Sequence, residues 1–188
     1  MSDTALTRRR LIAGGTGLAA GSAVVLAVPA TAGATPVSRL SADDLREILN
    51  LKANYAYGSD ALAADDEATG RALYEAVFTE DAHVTSDETV INVRGPVALA
   101  DRVLELVGGA AATQHLLGTI RVEPLERDGR PSQQRAAIRA YVQATVIAED
   151  GGLTRVLATY EDLAVETRDG WRLAESHATT LHAEVVPA

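Results

Sequence analysis

The chain has 188 residues, 47% of them hydrophobic and 23% charged, with a net charge of −9 and no cysteine. One domain with a full core fits that length, and no stripe of Lys and Arg beyond the first ten residues could follow a phosphate backbone, which argues against a nucleic-acid partner. Disulfides, thiolate metal sites and cysteine nucleophiles are excluded, and with only 4% aromatic residues any cavity must be lined mainly by Ala, Val, Leu and Ile.

Residues 7–34 read TRRRLIAGGTGLAAGSAVVLAVPATAGA. Three arginines, a Gly/Ala-rich apolar run and small residues at Ala32 and Ala34 have the order of a secretory signal, and the TRRRLI start that of a twin-arginine signal. The rival, a retained membrane anchor, suits this run less, because residues 11–28 are glycine-rich and weakly hydrophobic for a span. Cleavage after Ala32 or Ala34 is expected, leaving a domain over residues 35–188. The mature protein is then expected outside the cytoplasm, in the cell envelope or beyond, and free of the membrane.

The next element opens on Ser41 as N-cap, with Asp43 and Asp44 in the first turn. Ile48, Leu51, Tyr55 and Leu62 share one helical face, and Asp60 falls at the edge of that stripe. A polar break at DDEATG separates this helix from a short second one in RALYEAVF. TEDAHVTSDETV holds turn residues and then a strand. RGPVALADRVLELVGG is a third helix, with Pro96 in its first turn and a glycine pair stopping it. From residue 113 four strand-length segments follow: TQHLLGTIRVEPL, QRAAIRAYVQATVIA, TRVLATYEDLAVET and WRLAESHATTLHAEV. They are joined by ERDGRPS, EDGG and RDG, which is hairpin chemistry. Helices first and an antiparallel meander afterwards make an α+β domain.

His115 heads the first of these strands. It is either a core histidine bonded through one ring nitrogen or a pocket residue that handles protons. Alternation groups it with Leu117 and Thr119, against Leu116, Ile120 and Val122, and both sets are partly apolar, so periodicity alone does not decide. Asp60 either caps the next turn or enters the same pocket; buried without a partner it would cost several kcal/mol, roughly 2–7 on transfer scales. His83 reads as an edge residue and His182 as a solvated one. His177 shares strand parity with Trp171 and Leu173, which would turn it inward. Trp171 reads as core, and Asp65, Asp66 and Glu67 as a solvated loop. No H-x-x-x-H, H-E-x-x-H, G-x-S-x-G or phosphate-cradling glycine loop occurs. Neither a metal nor a cofactor is expected.

Three islands, NYAYGSD (54–60), ALYEAVFTEDAHV (72–84) and TYEDLAVETRDGWRLAE (159–175), resemble the SnoaL-like branch of the nuclear-transport-factor-2-like proteins. TQHLLGTIRVE (113–123) looks like the histidine strand of the scytalone dehydratase group. The resemblance spans about residues 41–184. It implies a cone-shaped α+β barrel, with the N-terminal helices packed in a curved antiparallel or mixed sheet and a pocket open at one end. It further implies that Asp60 and His115 meet in that pocket, the aspartate polarising a histidine that acts as base and then acid. Such a step needs a group that titrates near neutrality. Tyr55 and Tyr57 supply phenols near the site, and the dehydratases' Ser and Asn contacts fall at Thr159 and Glu161, with His177 a further pocket candidate. The chain also departs from that group. Ser59 stands where its members have a tyrosine, and their second pocket histidine falls near Thr145 and Val146. The epoxide-hydrolase branch needs an Asp–Arg–Asp arrangement, of which only Asp60 is placed.

The expectation is therefore an exported, cofactor-independent dehydratase, isomerase or cyclase acting on a small or polyketide-like molecule. Its rival is a non-catalytic small-molecule-binding or dimerisation domain of the same fold. A homodimer through the sheet face is an expectation from the resemblance.

Overall fold

The computed structural model describes residues 39–87, 90–125 and 134–188. The expected leader (1–34) and the expected turn ERDGRPS (126–132) lie outside the described residues. Helix α1 spans Ala42–Ala63 and starts as the sequence implies. Ser41 Oγ accepts from the Asp44 amide at 3.1 Å while Asp44 Oδ2 accepts from the Ser41 amide at 2.7 Å, a reciprocal capping box. The other Asp44 oxygen takes the Trp171 indole N–H at 3.0 Å, so the cap also ties α1 to the last strand. Those donors, with Trp171 the strongest, hold the Asp44 carboxyl below its ordinary range.

Helix α2 (Glu67–Val77) is capped by Asp66 and folds back on α1. Two glycines permit the close approach. A Cβ on Gly70 would stand 2.5 Å from Leu62 Cγ, and one on Gly58 2.8 Å from Tyr74 Cδ1. Where the helices meet, Tyr55 stacks on Tyr74 with centroids 5.7 Å apart and meets the edge of Tyr160 at 5.4 Å. Three of the five tyrosines thus fill the centre of the core.

Strand β1 (Phe78–Ser86) follows α2 directly, then come β2 (Asn92–Arg94) and helix α3 (Pro96–Val107). The meander is β3 (Ala112–Pro124), β4 (Arg135–Ile147), β5 (Leu153–Thr167) and β6 (Gly170–Val186). Sheet order is β2-β1-β6-β5-β4-β3. Among the described residues the β1–β6 pair is parallel and the other pairs are antiparallel. The expected α+β architecture is present: among the described residues the mixed sheet does not close, β2 and β3 are its edges, and three helices pack on one face. Ala136, Ile138, Ala140 and Val142 of β4 and Ala158, Tyr160 and Ala164 of β5 are buried against them, and the alternate residues face outward.

Register slips in β3 and β6 decide which residues reach that inner face. In β3 the register slips between Gly118 and Arg121, where Thr119 adopts a left-handed φ of 49°. Both Gly118 and Thr119 are exposed, and alternation restarts one residue later. His115 and Leu117 therefore share the inner face with Ile120 and Val122, whereas uninterrupted alternation put the two pairs on opposite faces. Both halves of the strand thereby turn apolar residues, Leu117, Ile120 and Val122, toward the core. In β6 the register slips at Ala174, because Leu173 pairs with Ala164 and Glu175 with Leu163. From Glu175 to Thr179 the odd-numbered residues face outward, until a second slip at Leu181 restores the earlier parity, and His177 is turned away from the side on which Trp171 and Leu173 are buried.

Candidate active site at the Asp60–His115 pair

Asp60 lies one turn from the C-terminus of α1, and His115 lies near the start of β3, which packs along that helix. The two side chains meet at 2.7 Å, Asp60 Oδ1 to His115 Nδ1. Two further donors hold the carboxylate. Thr113 Oγ1 gives Oδ1 a hydrogen bond of 3.1 Å, and the backbone N–H of His115 gives Oδ2 one of 3.2 Å. Partial burial opposes the ionised carboxyl, but the hydrogen bond and charge of His115, its backbone amide and the Thr113 hydroxyl outweigh that, and Asp60 titrates below its ordinary value of 3.8. An ionised carboxylate only accepts. The ring nitrogen that faces it must therefore carry a hydrogen, which makes Nε2 the ring nitrogen free to gain or give up a proton.

The surroundings of the ring follow from register. Ala144 of β4 is opposite His115, and Val156 of β5 is opposite Ala144. One row further in stand Leu117, Val142 and Ala158, and beyond them Tyr160. Ala144 and Val156 are half-buried, so small apolar side chains neighbour His115 on the inner face. A polar string also enters the core from the neighbouring turn of α1: Ser59 Oγ lies 2.7 Å from the Tyr74 hydroxyl. Ser59 thus occupies a buried position beside the dyad, hydrogen-bonded to a tyrosine of α2.

The other candidates divide by face. Tyr55 is buried on the inner side, its hydroxyl 3.4 Å from that of Tyr160. Tyr57 points into solvent. Thr159, Glu161 and His177 occupy the outer face, in a row where Glu161 pairs with both Arg139 and His177. The sheet separates them from the dyad, so they do not join Asp60 and His115 in one site. The inner positions of β5 are Ala158, Tyr160 and Asp162, and a one-residue slip is enough to exchange the two sets. His83 is bonded to Asn92 at 3.0 Å at the β1–β2 edge, and His182 is exposed.

Two grooves open on that outer face. One, of about 490 Å³, is bordered by Thr85, Arg139, Glu161 and His177. The other, of about 310 Å³, is apolar and bordered by Leu116, Tyr141, Leu157 and Leu181. Neither includes Asp60 or His115.

A second buried polar group escaped the reading of the sequence. Lys52 and Asp162 are both buried, with Nζ 2.8 Å from Oδ2 and 3.9 Å above the Tyr160 ring. Ser176 Oγ donates to the other Asp162 oxygen at 2.6 Å. The ammonium meets Oδ2 off the hydrogen-bonding direction, so neither atom has a hydrogen bond among the described residues. A signal existed: Lys52 falls one turn from Ile48 on the apolar stripe of α1, and Asp162 shares inward parity with Tyr160 and Ala164.

A family model described as a SnoaL-like domain matches residues 41–177. Among curated proteins none matches the chain by sequence. Solved structures do. The Kfla4162 protein of Kribbella flavida is 25% identical with a TM-score of 0.60, over 76% of this chain and 93% of that one. A candidate scytalone dehydratase from Novosphingobium aromaticivorans superposes with a TM-score of 0.63 at 16% identity, over 78% and 89% of the two chains. A hexachlorocyclohexane dehydrochlorinase from Novosphingobium barchaimii gives 0.62 at 15%, over 77% and 90%. The last two similarities establish a shared fold.

Proposed function

The chain belongs to the SnoaL-like domain family, and within that family we propose that it is a cofactor-independent lyase or isomerase whose acid/base group is His115, oriented by Asp60. One observation carries this reading: the 2.7 Å contact between Asp60 Oδ1 and His115 Nδ1 on the inner face. Asp60 fixes the Nδ1–H tautomer, so Nε2 removes a proton from substrate carbon and becomes part of an imidazolium that the carboxylate stabilises. In a dehydration the C–H electron pair forms the new double bond, the C–O bond breaks, and the imidazolium returns its proton to the departing hydroxyl as water. In an isomerisation the same proton returns at a different carbon. The apolar neighbours Ala144, Val156 and Leu117 suit a neutral, small organic or polyketide-like molecule.

The test is turnover on a panel of hydroxylated polyketides and halogenated cyclohexanes, which covers the chemistry named for the two neighbours from Novosphingobium. His115→Ala is expected to slow the chemical step by about 10²–10⁴-fold while circular dichroism shows the fold retained, and dialysis against a chelator is expected to change nothing. Equal turnover by the His115→Ala chain overturns the assignment. The position of both outer-face grooves away from the dyad favours a second reading, a small-molecule-binding or dimerising domain. Ligand protection of Leu116 and Tyr141 with none at His115 would select it. Export through the leader is part of the proposal: N-terminal sequencing of secreted protein should begin after Ala32 or Ala34, and a cytosolic chain with Met1 intact would refute it.

A further inference from the structure

We propose that Thr113 is a positioning residue, which locks the Asp60 carboxylate in the orientation that accepts a hydrogen bond from His115 Nδ1. The proposal rests on the reading of Asp60 and His115 as an acid/base pair. A carboxylate at the end of an aspartate side chain rotates broadly about its last torsion, with two equivalent wells. Held by the imidazole alone it could pivot about that one contact, and either oxygen could face the ring. In this protein three donors converge on it from a single strand. The imidazole at 2.7 Å and the Thr113 hydroxyl at 3.1 Å share Oδ1, while the His115 backbone amide holds Oδ2 at 3.2 Å. The amide fixes one oxygen in the frame of β3, and the threonine fixes the other.

Residue type and spacing both suit the task. Thr113 precedes His115 by two positions and so lies on the same face of β3, opposite Val146 as His115 is opposite Ala144. A β-branched side chain in a strand is stiff at χ1, so its hydroxyl is aimed before the carboxylate arrives. A donor to a carboxylate is also a charge-assisted one and favours the ionised acid. The nearby group on α2, the Tyr74 hydroxyl, is already engaged by Ser59 and does not compete for Asp60.

The test uses the full chain, labelled with ¹³C and ¹⁵N, as the unaltered protein and as Thr113→Val and Thr113→Ser. Two signatures are read: the ¹³C titration of the Asp60 carboxyl, and the His115 ring ¹⁵N shifts, which distinguish Nδ1–H from Nε2–H. Thr113→Val is expected to raise the Asp60 midpoint and to mix the two tautomers, and Thr113→Ser to restore both. On a substrate found by the panel, kcat should fall about tenfold in the valine chain, the worth of one net hydrogen bond, and recover with serine while KM stays put. Should the valine chain fail to fold, Thr113→Ala removes the hydroxyl without added bulk and carries the same readouts. Unchanged carboxyl and ring signatures in a folded Thr113→Val or Thr113→Ala chain overturn the inference. Its failure is separable from that of the function: altered signatures together with full turnover by His115→Ala would uphold Thr113 and sink the acid/base reading.

Discussion

The sheet carries two histidine–aspartate pairs, one on each face. On the inner face His115 meets Asp60 at 2.7 Å, with side chains 16% and 26% exposed. On the outer face His177 Nε2 is 3.3 Å from Asp87 Oδ1, with side chains 44% and 38% exposed, and its Nδ1 contacts Thr85 at 2.8 Å. The residue types are the same and the neighbourhoods are not. Water competes for every contact of the outer pair, and an exposed ion pair of this kind contributes little. The inner pair has a short contact, partial desolvation and a carboxylate held at three points. Position on one face or the other therefore decides which pair can hold a tautomer, and a single bulge in β6 put His177 on the wetter side.

The largest expected effect comes from breaking the inner pair. His115→Ala should lower turnover by about 10²–10⁴-fold, the usual contribution of a general acid/base, whereas His177→Ala should leave kcat unchanged. Comparable losses from the two substitutions would erase the distinction between the faces. Next in size is a pair with no exposure at all. Lys52→Met alone leaves Asp162 buried without its cation and should cost about 3–5 kcal/mol in urea unfolding, while Lys52→Met with Asp162→Leu should recover most of that loss. A single substitution as mild as the double would show that water reaches the pair. A smaller effect is the acid limb of stability. Asp60 is held below its ordinary value in the folded state, so its contribution is complete above the unfolded value of 3.8 and is lost as pH falls through the folded one. Thermal scans from about pH 6 to about pH 2 should show a steeper decline for the unaltered chain than for Asp60→Asn; parallel curves would contradict the shift. The smallest effect belongs to the outer pair, where His177→Ala should change stability by about 0–1 kcal/mol. A loss well beyond that range would mark the Thr85–His177–Asp87 contacts as structural.

Much of the fold was legible because local signals agreed. The Ser41 cap, the apolar stripe of α1, Pro96 at the head of α3 and the glycines of the later hairpins each pointed to the element that formed. Asp60 was legible as an edge residue of a helical stripe, and its meeting with His115 followed from the resemblance, since no spacing rule joins residues so far apart. The bulges were not legible. A bulge is a backbone event, and Thr119 has no composition that announces a left-handed φ. Alternation carried through such a point assigns every later side chain to the wrong face, which is how Ile120 and Val122 were set opposite Leu117, and His177 beside Leu173. Thr159 and Glu161 stand one residue out of register with the inward-facing Tyr160, an offset that the resemblance did not reveal. The Lys52–Asp162 pair went unread because a lysine inside a stripe looks like a solvated exception until its partner on another strand is known.

Among the described residues strand β3 ends the sheet, and the open side of such a strand is a template on which another chain can add. Here the His115 amide on that side is already taken by Asp60 Oδ2. The carboxylate that would orient the imidazole therefore also occupies one of the amides through which another strand would add. Replacing it by alanine would open a place for strand addition at the mouth of the site, and self-association of that variant, read by light scattering, would be a symptom distinct from lost turnover. Asparagine keeps an oxygen for the amide, and so should separate the two roles.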